Sequence, residues 1–425
     1  MTEAFLHYVW QYQYFDKTDL KLVSGEPLNI LQPGMMNTNA GPDFEQARIR
    51  IAEVNWVGSV EIHINSEGWN EHMHEHDAAY ENVILHVVWE NKKPIFRKDG
   101  SLLPTLELKN RLNEKLYQEY LKIIRDPGDI PCEAQLHQVK AITRLAMLEK
   151  VTTERLEQKS ELINKLYQQT NHDWEETAYQ ALAANFGFKV NKDPFLQLAR
   201  VLPYKIIRKH ADKLLQIEAL LLGIAGLLPQ NTNDEYLQVL NREYTMLSHK
   251  YGLHDKQLNP AQWRLLRLRP ANFPAIRLMQ FAALLKEMNP LFSALTDFDD
   301  AKTLLRQIRV KQSDYWRKHY LPAKPSEKIL PALGATSAEN IAINTVVPLL
   351  VLYGKLRDEQ ARIEKAVDLL QQLKAEDNRI TRRWQGINWK VNNAFDSQAL
   401  IALYNNYCLK RRCLQCNIGC NLLRP

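Results

Sequence analysis

The feature that most constrains this chain is a change of hydrophobic period near residue 110. Before it, apolar residues alternate or run in short blocks. After it, they recur at helical spacing almost to the end. Ile49 and Ile51 alternate with Arg48 and Arg50, and Ala47–Val54, Trp56–Ile64 and Val83–Trp89 read as strands. Residues 3–15 read as an amphipathic helix presenting Phe5, Val9, Tyr12 and Phe15. Gly25-Glu26-Pro27 and Asp99-Gly100 predict turns, and Leu106–Lys109 a last short strand. Leu112–Ile124 is helical, and the breaker Asp126-Pro127-Gly128-Asp129-Ile130-Pro131 marks a domain boundary. Helices follow at about 137–169, 173–186, 193–200, 204–227, 233–250, 260–267, 273–288, 298–310, 312–319, 338–374 and 394–406. The expected fold class is α+β. Residues 1–125 form an α/β domain with a mixed sheet, residues 126–400 a basic all-α body, and residues 401–425 a cysteine knuckle packed on that body.

Composition narrows the compartment. The N-terminus MTEAFLHYVWQYQYF lacks the basic region and small-residue cleavage site of a secretory leader. No apolar run approaches membrane-spanning length; Ile217–Leu228 is short and holds Glu218. Five cysteines in 425 residues are too few for a disulfide scaffold. A cytoplasmic protein with no membrane partner is expected. Residues 1–110 hold 9 basic and 16 acidic residues, a net of −7, so the rest of a chain of formal charge +6 carries +13. Such asymmetry suits a carboxylate site joined to a surface for a polyanion, DNA or RNA; two solvated faces of differing charge are the plainer alternative.

Chemistry concentrates between Asn39 and Glu90, which holds five of the twelve histidines. Gly41-Pro42-Asp43-Phe44 is a turn ending on a carboxylate. Glu61 and His63 lie two apart and share a strand face. His72, His74, His76 and Asp77 follow. Taken singly, Asp43 reads as a turn cap and the histidines as a solvated loop; on a helix, His72 and His76 would share a face with Trp69 and Tyr80. His86, inside an apolar run, reads as a core histidine. Glu107-Leu108-Lys109 spells Glu-x-Lys but reads as the end of a strand.

Helix, strands bearing Asp and then Glu-x-His, helix, strand: this order resembles the PD-(D/E)xK nuclease superfamily. Pro42-Asp43 matches its first motif and Glu61-Ile62-His63 its second, with His63 in place of the usual lysine. The resemblance implies Mg²⁺ or Mn²⁺ at Asp43 and Glu61, and water activation by His63. Gly68-Trp69 with His72 and His74 is similar to a segment of very-short-patch repair endonucleases, which makes those two histidines assisting catalytic candidates. Zinc is a competing use of the same imidazoles.

The chain ends in a second cluster, Cys408, Cys413, Cys416 and Cys420, spaced C-x4-C-x2-C-x3-C. Four thiolates suit Zn²⁺ or a [4Fe–4S] cluster. The fourth ligand is Cys420 or the remote Cys132. Cys132 with Cys408, Cys413 and Cys416 resembles the one-distant, three-terminal arrangement of iron–sulfur nucleases in that superfamily. Basic residues Lys410, Arg411 and Arg412 beside the cluster, and Arg267, Arg269 and Arg277 around Pro270–Pro274, are candidate phosphate contacts. The segments NAGPDF, GSVEIH, ILHVV, RPANFP and YC-x4-C-x2-C together identify the chain as a member of the bacterial domain-of-unknown-function family 2851, which implies no particular activity. The expected function is a nucleic-acid-processing protein, a metal-dependent nuclease. A non-catalytic nucleic-acid- or ribosome-associated protein of the same fold, and a zinc-dependent hydrolase of another substrate, are the alternatives.

Overall fold

The structure, a computed structural model, describes residues 1–37 and 39–424. Two compact units form. The first joins Met1–Met147 with the segment from Leu403 onward, and the second is Leu148–Ala402. The boundary expected at residue 125 therefore falls inside the first unit, and the terminal cysteine segment joins the α/β unit instead of the helical one.

The first unit is built on a six-stranded mixed sheet. Its strands are β1 (Leu28–Gln32), β2 (Met35–Met36), β3 (Phe44–Ile51), β4 (Val54–Asn65), β5 (Val83–Glu90) and β6 (Thr105–Glu107), in the order β1-β3-β4-β5-β6 with β2 beside β3. β3 and β4 form an antiparallel hairpin with Ile51 opposite Val54. β4, β5 and β6 run parallel. One sheet face carries Phe44, Ala47, Ile49, Val60, Ile62, Leu85 and Val87, closed over by α1 (Glu3–Tyr12) and α2 (Glu114–Ile124). Phe5, Leu6, Val9 and Trp10 of α1 are fully buried, each side chain worth roughly 1.5–3 kcal/mol by transfer from water. Tyr12, expected on that buried face, is 44% exposed, and Phe15 lies past the helix end, which turns at Gln13 in left-handed backbone. Cys413 and Leu423 enter the same core.

The second unit is helical throughout apart from a two-stranded ribbon. Three expected helices are interrupted. The 204–227 stretch divides into Tyr204–Arg208 and Leu214–Ile224, and 260–267 keeps only a 3-10 turn at Pro260–Gln262. The 338–374 stretch turns at Asp358, whose φ is 56°. Gly354 permits that turn: a Cβ there would lie 2.9 Å from the Glu359 carbonyl oxygen. Ala335–Arg357 is long and apolar enough to cross a bilayer, contrary to expectation, but 67% of its most apolar window is buried within the unit's core.

Candidate metal centre

A β-bulge sets the geometry of the first unit's site. Phe44 pairs with Val60 but Ala47 pairs with Gly58, so β3 carries one extra residue, and Gln46 absorbs it at a φ of 58°. With regular pairing Phe44 would oppose Glu61. The bulge puts Phe44 into the core and brings Asp43 to Glu61 instead. The Asp43 amide donates to Glu61 Oε2 (3.1 Å), and the Ile62 amide donates to Asp43 Oδ2 (2.9 Å). His7 of α1 places Nε2 3.2 Å from the same Asp43 oxygen.

Glu61 and His63 point away from the core face, as their spacing requires, into a shell made by the β4–β5 crossover. That crossover is not one helix. Gly68–Glu71 is a single turn, Met73 reverses the backbone at a φ of 58°, and His74–His76 is a 3-10 turn. His74 therefore turns inward and His76 outward, its side chain 73% exposed, so the expected shared face of His72 and His76 does not form. Gly68 admits the His63 ring; a Cβ there would sit 2.6 Å from His63 Cδ2. Trp69 packs edge-on against His74, and Tyr80 stacks on His74 at 3.8 Å between ring centroids.

The result is a compact set of donors. One ligand nitrogen each from His63, His72 and His74 lies within 4.8 Å of the other two. His63 Nε2 is 3.2 Å from His72 Nδ1. Glu61 Oε1 completes the group, 3.3 Å from His74 Nε2 and 3.8 Å from His63 Nε2. Ligands held about 2.0–2.1 Å from one tetrahedral ion are separated by edges of about 3.3–3.4 Å; the His63–His72 and His74–Glu61 pairs stand near that spacing, while the three imidazoles together are bounded at 4.8 Å. His74 Nε2 is buried and makes no aligned hydrogen bond despite its proximity to Glu61. An orphaned, buried imidazole nitrogen facing a carboxylate is a donor atom that a cation could satisfy.

The electrostatics agree with the geometry. Burial, then His86, His74 and His72, push the His63 imidazole down to about 3. Burial likewise pushes His86 down to about 3, and lowers His74. These rings are neutral at physiological pH and keep lone pairs for a metal. Burial, then the Asp43 carboxylate, raise Glu61 to about 8, so the pocket disfavours a second negative charge that no cation offsets. His86 is wholly buried, with Nε2 2.9 Å from His63 Nδ1. That contact orients the His63 ring with Nε2 facing the donor group; with Nδ1 as the donor to His86, Nε2 keeps its lone pair, as in a metal ligand held by an outer partner.

Asp43, Glu61, His63, His72 and His74 are thus brought together. His7 and His86 join them without having been singled out as functional. The signal for His7 was slight: it is the one imidazole in the run Phe5–Trp10. Glu107 accepts from the Asn91 amide as the end of a strand. Beside the centre, His74, Asp77, Tyr80 and Arg97 line a pocket of about 460 Å³.

The candidate phosphate contacts fare unevenly. Arg267, Arg269, Lys410 and Arg412 are exposed. Arg277 is not a surface grip. It is 8% exposed, lies over the Phe188 ring at 4.5 Å, and donates to Gln280, Asn272 and Ser337. Arg411 spends its guanidinium on the carbonyls of Gly128 and Asp126, at 2.8 Å each.

Cys132, Cys408, Cys413 and Cys416 are buried, and none of the five cysteines is joined in a disulfide. Burial, then Cys416 and Cys413, raise Cys132 to about 12. Cys420 is half-exposed, with Sγ directed to the Leu414 carbonyl at 3.1 Å.

No curated protein and no solved structure matches this chain. A family model does, over residues 3–379, a span holding every residue of the imidazole–carboxylate group, and the chain accordingly belongs to the family described as "Protein of unknown function (DUF2851)".

Proposed function

We propose that the α/β unit is a metal-dependent hydrolase and that its substrates are nucleic-acid phosphodiesters. The observation that carries the metal is the convergence of His63, His72 and His74 within 4.8 Å, with the Glu61 carboxylate against them. Three imidazoles and one carboxylate suit Mn²⁺ or Zn²⁺ better than Mg²⁺, which prefers oxygen donors. Such an ion supplies a more acidic bound water and polarises a phosphoryl oxygen. The protein's own groups do the rest. His86 holds His63 in its ligating tautomer, Tyr80 and Trp69 fix His74, and Asp43 orients His7, an imidazole able to take a proton from water.

The phosphodiester reading rests on the Asp43/Glu61-x-His63 arrangement on neighbouring strands, which resembles that of PD-(D/E)xK nucleases, and on the +13 charge beyond residue 110. Thiols outside any disulfide suit a reducing compartment, and we assign the protein to the cytoplasm on that ground.

The test is cleavage of end-labelled DNA and RNA, and of bis(p-nitrophenyl) phosphate, with Mn²⁺, Zn²⁺ and Mg²⁺ added separately. Metal-dependent cleavage by wild type, lost in Asp43→Ala and His74→Ala, is expected. Stoichiometric metal at the histidines without phosphodiester cleavage would remove the substrate assignment and favour hydrolysis of another bond. Nucleic-acid binding without metal would favour the non-catalytic reading.

A further inference from the structure

The helical unit holds a cavity that the hydrolase reading does not use. We propose that it binds a small monocarboxylate with an apolar body, and that Arg277 receives the carboxylate. The cavity lies wholly within Leu148–Ala402 and stands whether or not the metal centre hydrolyses phosphodiesters.

The cavity measures about 300 Å³, a volume within the range of small-ligand sites. Residues 186–195, 268–277 and 336–340 supply its walls. Gly187 lets the first of these segments fold on itself, since a Cβ there would lie 2.2 Å from the Asn191 carbonyl oxygen. The buried Asn191 side chain then clamps the chain just ahead of the second. Its Oδ1 accepts from the Arg264 amide at 2.8 Å, and its Nδ2 donates to the Arg264 carbonyl at 3.0 Å. Phe188 is held in left-handed backbone, φ 48°, a conformation that a bulky residue keeps only where its surroundings impose it. Its ring carries the Arg277 guanidinium at 4.5 Å.

Arg277 is a cation buried without an acid. Among the described residues, no carboxylate lines the cavity or pairs with this side chain, and burial alone lowers the guanidinium, to about 10. It is therefore charged at neutral pH. Its bonds go to neutral oxygens: Gln280 Oε1 at 3.0 Å, Asn272 Oδ1 at 2.7 Å and Ser337 Oγ at 3.2 Å. Its Nε is buried and makes no hydrogen bond. A buried ion is costly unless an opposite charge offsets it, and an anion in the cavity supplies that charge. Asn272 and Ser337, which also line the cavity, accept from Arg277 and so keep an amide NH₂ and a hydroxyl proton to donate, as an anion requires.

Charge and lining select the class of ligand. One guanidinium neutralises one negative charge. A phosphate monoester carries about −1.5 to −2, an excess for a cavity lined by no second cation. A carboxylate carries one. Phe186, Phe188, Val190, Phe195, Leu268 and Pro274 make the remaining wall apolar, which suits an aromatic or aliphatic body.

The test uses the full chain with benzoate, phenylacetate, benzamide and phenyl phosphate as probes, read by isothermal titration calorimetry and thermal melts. Benzoate or phenylacetate should bind at one site per chain and raise the melting temperature. Benzamide, of the same shape but neutral, should bind at least tenfold more weakly than benzoate. No saturable binding of either carboxylate, equal binding of benzamide, or tighter binding of phenyl phosphate would each overturn the assignment. Arg277 also ties Asn272, Gln280 and Ser337 together, so its removal alone would not separate binding from folding. Val190→Trp, at a position 37% exposed, fills the cavity and leaves Arg277 and its bonding partners in place. It should melt as wild type does without ligand and lose carboxylate binding at least tenfold; wild-type affinity in this variant would place the site elsewhere. Arg277→Lys keeps the charge but not the stacked plane. It should bind benzoate about tenfold more weakly, and an unaltered affinity would remove Arg277 as the receiving group.

Discussion

His86 lies with no exposed surface in the middle of a parallel strand, yet its ring nitrogen meets another imidazole, not a backbone carbonyl. Replacing it with leucine keeps apolar volume and removes the partner of His63 Nδ1. Affinity for Mn²⁺ or Zn²⁺ should fall about 10- to 100-fold, the usual cost of losing an outer-shell partner, while His76→Ala should change nothing; a chelator competition titration reads both. From sequence, His86 looked like a core histidine because Val83–Trp89 is apolar, and burial is indeed complete. What the run could not reveal is the cross-strand register that sets Glu61 beside His86. His7 was hidden for a similar reason: its partner Asp43 is 36 positions away, and only the docking of α1 on the sheet joins them.

At the level of elements, glycine placement and buried charge make the sharpest demands. Gly68→Ala pushes a methyl into the His63 ring, so metal affinity should drop at least tenfold with little loss of circular-dichroism signal; a normal affinity would mean that the ring has room to shift. In the helical unit, Glu218 of Leu214–Ile224 is fully buried and hydrogen-bonded by Tyr236. Burial raises its carboxyl to about 7. A raised folded-state value means that the native state binds the proton more tightly than the unfolded chain. The stabilisation is complete below the ordinary carboxyl value near 4.5 and is lost as pH rises through about 7. Urea unfolding should therefore show wild type losing on the order of 1–3 kcal/mol between pH 5 and 8, relative to Glu218→Gln, whose profile should be flatter. Strands and turns were legible because alternation and Asp-Gly or Gly-x-Pro chemistry are local. The bulge at Gln46 was not, since glutamine does not advertise left-handed backbone; Asp358 is of a type that adopts it, but it sits within an apolar pattern that reads as one continuous helix.

For the whole molecule, net charge suggested a polyanion partner, and the structure decides which arginines can serve. Charge reversal at the exposed Arg267 and Arg269 should weaken nucleic-acid binding to all sequences alike and lower the salt slope by about 2. Arg277→Met should leave that slope unchanged and lower the melting temperature instead, because Arg277 is an internal bonding hub. Filter binding across a salt series, with thermal melts, separates the two. The division at residue 125 was misplaced because a breaker sequence marks a loop, and nothing local tells a reader that the last segment folds back with the first. That return has a consequence in time. A ribosome releases Met1–Met147 early, but Cys413 and Leu423 of the same core emerge only after Leu148–Ala402 has been made, roughly 13–50 seconds later at 5–20 residues per second. Through that interval the nascent α/β unit must wait with part of its core open. Its completion waits on synthesis of the segment from Leu403 onward, and a message cut short before residue 403 would yield a chain whose first-made unit never closes.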